Sequence, residues 1–190
     1  MSRKYELTET NRDINGVKCF QIRALRGFKN VKKGELGGWV ESEKNLSHEG
    51  NCWISDDAVV YNNARIYGNA QVYVKAQVFG EALIYGYARI FDYAEVYGNA
   101  QVSDYARVNE YSQVYGNARI SSNTLVYGDA QIDENTEVFH QIRISGTAQI
   151  NQSEAKVQND FDFPSISSNV SEITINNIKY IKKTTWEQQS

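Results

Sequence analysis

Residues 67–86 read YGNAQVYVKAQVFGEALIYG, a run that repeats a pattern of six without repeating its letters. Alanine recurs at Ala70, Ala76 and Ala82, and an aliphatic residue follows two places later at Val72, Val78 and Ile84. Carried outward in both directions, every sixth residue from position 54 to position 150 is Ile or Val, seventeen in all. The residue two places before each is Ala in twelve cases, the others being Cys52, Ser112, Thr124, Thr136 and Ile142. Two inward side chains separated by one outward side chain describe a short strand, because successive side chains point to opposite faces. The rest of each hexad must turn a corner. Gly68, Gly80, Gly86, Gly98, Gly116 and Gly128 share one corner position, and Asn63, Asn69, Asn99, Asn117, Asn123 and Asn135 the next. Both residue types tolerate a left-handed backbone at low cost, and β-branching suits the strands between. A fixed period of six predicts an all-β parallel solenoid coiled from hexapeptides.

These hexads resemble the hexapeptide-repeat, left-handed β-helix family. The resemblance implies a single-stranded, left-handed parallel β-helix in which three hexads make one triangular coil of 18 residues. The seventeen hexads then give about six coils. The resemblance covers about residues 36–157. Val40 and Leu46 extend the period backward, with two extra residues expected in the Ser47–Gly50 region, and AKV at 155–157 repeats the motif one residue late. Residues 1–35 and 158–190 are expected to be small β caps, since an open solenoid end exposes strand edges and core. The first would pair KYELTE with VKCFQIRALR around NRDING, and the second would fold ITINNIKYIKK across Asn176–Asn177. The run ELGGWVESEKNLSHEGNCWI also resembles the start of uncharacterised hexapeptide-repeat proteins of bacteria and their phages, some named acyltransferases on fold alone.

Composition limits the partners. Residues 1–50 carry 10 basic and 7 acidic side chains, and residues 51–153 carry 6 and 11. An acidic body disfavours nucleic acid, which needs clustered Lys and Arg. No apolar run approaches a membrane span, and MSRKYELTETNRD has no apolar run after its basic residues, so no secretory signal and a cytoplasmic protein are expected. Two cysteines without paired spacing make neither a disulfide framework nor a zinc knuckle, and no metal is expected.

Chemistry is sparse. The resemblance implies, for an acyltransferase, a histidine base, acyl-CoA along the prism and commonly a trimer. The chain has two histidines: His140 at a corner and His48 before the regular coils. Two histidines cannot supply the three zinc ligands of the γ-class carbonic anhydrases that share this fold. No P-loop, GxSxG or HExxH is present. The outward columns hold aromatics instead. Stacking by 18 aligns Tyr61, Phe79, Tyr97 and Tyr115, and pairs Tyr93 with Tyr111 and Tyr87 with Tyr105. Such columns can be plain cross-coil stacking or a recognition surface. Arg89, Arg107 and Arg143 form one column that could hold an anion, although Asp92 and Glu110 lie near enough to pair with them. The expected function is a non-catalytic binding or scaffold module facing a protein partner or a second copy, with no cofactor, as in a phage-encoded inhibitor of host defence. The alternatives are an acyltransferase using acyl-CoA with His140 or His48, and a sponge for a small nucleotide-like anion.

Overall fold

The computed structural model describes residues 3–139, 142–150, 156–158, 172–175 and 178–181. Seventeen short strands run from Trp53–Ile54 to Gln149–Ile150, one per hexad. They stack in parallel register into three sheets. Sheet I holds the strands at 59–60, 77–78, 95–96, 113–114, 131–132 and 149–150. Sheet II runs from Trp53–Ile54 through Arg89–Ile90 and Arg107–Val108 to Arg143–Ile144, and sheet III from Arg65–Ile66 to Lys156–Gln158. Register is 18 residues throughout the regular body, as where Arg89 pairs with Arg107 and Glu95 with Gln113. The result is an all-β parallel solenoid of about six turns.

Each coil is fastened to the next through its backbone. Trp53 N–H donates to Ala70 O at 3.1 Å, Gln71 N–H to Ala88 O at 2.9 Å and Arg89 N–H to Ala106 O at 2.9 Å. The inward Ile, Val and Ala columns are buried and fuse into one core. Polar residues in the small inward column keep their burial cheap by bonding locally. Ser112 Oγ donates to Asn109 O at 2.7 Å, and Thr136 Oγ1 to Asp133 O at 2.7 Å.

The irregular steps lie where the sequence places them. Trp39 pairs with Val59 and Leu46 with Ile66, a step of 20 residues, whereas Trp53 pairs with Gln71 at 18. The two extra residues therefore fall between 46 and 53. At the far end Glu137 pairs with Lys156 and Val138 with Val157, a step of 19.

Ahead of the coils, β1 (Tyr5–Ile14) and β2 (Val17–Ala24) form an antiparallel hairpin, and β3 (Leu36–Val40) joins β2 to sheet I. The hairpin is longer than the pair read from the sequence and turns at Asn15–Gly16, both at positive φ, as a tight two-residue turn requires. Tyr5, Ile22, Ala24 and Phe28 share the buried core with Leu46, Trp53 and Ile54 of the first coil. Toward the C-terminus Glu172–Ile175 pairs antiparallel with Ile178–Ile181, and the turn between them and Pro164 lie outside the described residues. Among the described residues no helix is long and apolar enough to cross a membrane.

Candidate binding surface

The outward residues come in ladders, as the stacking by 18 anticipates. Ring centroids along the first column are 5.1 Å apart for Tyr61–Phe79, 4.8 Å for Phe79–Tyr97 and 5.0 Å for Tyr97–Tyr115. Tyr93 and Tyr111 stack at 5.0 Å, and Tyr87 and Tyr105 at 5.1 Å with planes 4° apart. The spacing is close to the interstrand distance of a sheet, so the coils themselves set the stack.

The ladders differ in what covers them. Tyr61 is only 4% exposed and packs with Cys19 and Val59 against Ile14 and Val17 of the N-terminal hairpin. Its hydroxyl accepts a hydrogen bond from Asn15 Nδ2 at 3.3 Å. The longest ladder is thus partly spent on the chain's own fold. The corner tyrosines stand clear: Tyr87 is 50% exposed, Tyr105 58%, Tyr93 47% and Tyr111 61%. Tyr93, Tyr97, Tyr111 and Tyr115 flank Glu95 and Gln113 on sheet I, and Lys75 Nζ lies 5.3 Å from the Tyr93 ring.

On sheet II, Arg89, Arg107 and Arg143 project from one outward column, interrupted by Leu125. All three arginines are exposed. The carboxylates expected to neutralise them are engaged elsewhere. Asp92 Oδ2 accepts the Glu110 N–H at 3.3 Å, and Glu110 Oε2 accepts the Gly128 N–H at 2.9 Å. None of the ion pairs among the described residues includes Arg89, Arg107 or Arg143, although Arg119 on sheet III pairs with Glu137 at 3.4 Å. The column borders a groove of about 290 Å³ that also takes in Tyr87, Tyr105, Asn123 and Lys29. Lys29 was not legible as part of any site. It sits at the tip of a turn pinned by Phe28, which is buried edge-on against Trp53 at 5.4 Å. The interruption by Asn123 and Leu125 was readable from the same 18-residue columns that gave the ladders.

His48 lies beside a cleft of about 430 Å³ with Glu43, Arg65 and Tyr67. The ring stacks on Tyr5 at 4.4 Å, and Nδ1 accepts the Lys4 backbone N–H at 3.3 Å. The proton therefore resides on Nε2, a buried atom 3.8 Å from Glu43 Oε2. Burial, then the charges of Arg3 and Lys4, lower its pKa and keep the ring neutral near pH 7. A neutral imidazole whose lone pair is already taken is poorly placed to accept a proton from a substrate. His140 lies outside the described residues. Lys4, whose backbone N–H bonds His48, is fully buried, and its Nζ donates to Cys52 O at 2.9 Å, with Sγ 3.2 Å away. Desolvation lowers the Lys4 pKa, and a buried amine held by a carbonyl is part of the packing of the first coil. Cys19 and Cys52 are both free and buried.

The six-residue period, the three parallel sheets and the continuous aliphatic core define a β-solenoid protein of the hexapeptide-repeat kind. Among known proteins, the family described as YdcK beta solenoid repeat matches residues 112–128. A stretch of 71 residues is 38% identical to the uncharacterized acetyltransferase YdcK of Escherichia coli (strain K12). That stretch covers 33% of this chain and 22% of the curated relative. The likeness therefore spans a minor part of each chain.

Proposed function

We propose that this chain is a non-catalytic binding module, a rigid solenoid that offers the aromatic face of sheet I to a protein partner. The observation that carries the reading is the exposure of Tyr93 and Tyr111, stacked 10° from parallel beside the Tyr97–Tyr115 pair. Aromatic side chains dominate binding hot spots, and these are held in place before any partner arrives, so little ordering entropy is lost on contact. Affinity capture with the wild-type chain and with the Tyr93→Ser/Tyr111→Ser variant tests it. A protein held by the wild type is expected to be lost from the variant while the far-ultraviolet circular dichroism stays the same. Equal retention by both would place the contact elsewhere and sink the assignment. Neither the fold nor the repeat likeness supports the narrower expectation of a phage inhibitor of host defence.

Acyl transfer is the second reading, favoured by the likeness to a relative named as an acetyltransferase. Acyl-CoA would be its donor. The position of His48, with one nitrogen engaged by Lys4 and the other buried, weighs against it. Sustained thiol release from acetyl-CoA that disappears in a His48→Ala/His140→Ala variant would overturn the non-catalytic reading.

A further inference from the structure

A different face carries a more specific ligand. Residues 51–153 contain six basic side chains, and three of them, Arg89, Arg107 and Arg143, stand in the one outward column of sheet II. Arg89 and Arg107 are direct neighbours in parallel register, about 4.8 Å apart along the solenoid as strand spacing dictates. Like charges side by side destabilise a sheet unless something between them is negative. Within the described residues no carboxylate fills that role, because Asp92 and Glu110 are turned to corner peptide N–H groups.

Beside this column the Tyr87–Tyr105 stack stops. The next residue in the column is Asn123, too short to continue it, and Leu125 replaces arginine on the same coil. A groove therefore opens against the face of Tyr105 that meets no ring among the described residues, with an apolar patch at Leu125 and guanidinium groups on either side of it. Lys29 adds a further cation at its other end.

We propose that this groove binds a small phosphorylated compound carrying a flat ring, the chemical class of a nucleoside monophosphate. The ring takes the next place in the tyrosine stack over Asn123, and the phosphate lies across the Arg89–Arg107 pair. Each half matches known preferences. Guanidinium forks grip phosphate oxygens through paired charge-assisted hydrogen bonds, and any base has a face to stack on an aromatic ring. The groove is on a different sheet from the surface proposed for a protein partner, so either assignment can fail without the other.

Isothermal titration of the whole chain with AMP, UMP, adenosine and inorganic phosphate tests the proposal. AMP or UMP is expected to saturate at one per chain, with adenosine and phosphate each at least roughly tenfold weaker. Arg107→Gln should weaken the mononucleotide roughly tenfold or more, and Tyr105→Ser severalfold. Arg119→Gln, on sheet III and paired with Glu137, should leave the affinity unchanged. All three side chains are exposed, so the fold is expected to tolerate each change. Three results would overturn the site: no saturable binding of either mononucleotide, binding indifferent to Arg107→Gln, or inorganic phosphate binding as tightly as AMP.

Discussion

At the corners of the solenoid, one backbone conformation recurs regardless of side chain. The residue two places after each inward Ile or Val has positive φ at every described corner from Asp56 to Gly146. Glycine fills seven of these positions, but Asp56, Asn62, Asp92, Asp104, Glu110, Ser122 and Glu134 fill others. The asparagines one position later do not carry positive φ, so only one of the two corner positions read from the sequence is left-handed. Carboxylates serve this corner for a local reason. Asp56 Oδ2 accepts the Val74 N–H at 3.1 Å, and Asp104 Oδ2 the Ser122 N–H at 3.0 Å, in each case one coil onward. Val74 is the exception, a β-branched residue at φ 64° whose own side chain offers no polar atom to the corner. Such a residue stores strain there. Val74→Asn is expected to stabilise the chain by about 1 kcal/mol, seen as a higher denaturation midpoint. An unchanged or lower midpoint would mean that the corner carries no strain.

Among the elements, β3 is the one that joins two different constructions. It pairs antiparallel with β2 on one side and parallel with the Val59–Val60 strand on the other. Close approach makes this junction possible, and two glycines permit the approach. A Cβ on Gly38 would stand 2.6 Å from both Ala58 O and Ile54 Cγ2, and one on Gly37 equally close to Ile54 O and the Ile22 side chain. Backbone oxygens cannot withdraw as a flexible side chain can. Gly38→Ala is therefore expected to cost about 1–3 kcal/mol, read as a lower thermal midpoint. A variant as stable as the wild type would show that the first coil can shift to admit the methyl group. The sequence marks this junction through its Leu-Gly-Gly-Trp run and the eight-residue step from Leu46 to Ile54. Why glycine is needed there becomes clear only when β2 and the first coil are brought to either side.

For the whole molecule, each coil touches only its neighbours, so the ends govern whether the stack survives. The N-terminal hairpin contributes Tyr5 and Ile22 to the core and covers Tyr61 through Cys19 and Ile14. Tyr5 also donates its hydroxyl proton to Leu46 O at 2.7 Å. Removing residues 1–26 is expected to uncover Trp53, Val59 and Tyr61 and one edge of β3, and the truncated chain should move to aggregates in size-exclusion chromatography. A monodisperse truncated chain with native circular dichroism would show that the hairpin is an accessory to the fold. The coil count, the inward columns, the 18-residue ladders and the one-residue delay at 155–157 were all written in the sequence. They follow from strand alternation and corner geometry, which act over a few residues and repeat until the pattern is unmistakable. The covering of Tyr61, the turning of Asp92 and Glu110 away from the arginines, the capture of His48 Nδ1 by the Lys4 backbone with Nε2 buried, and the arrival of Lys29 at the groove belong to tertiary structure alone. Each depends either on which partner an outward side chain finds one coil away or on how a non-repeating segment folds back across the first coils. No periodicity records such contacts.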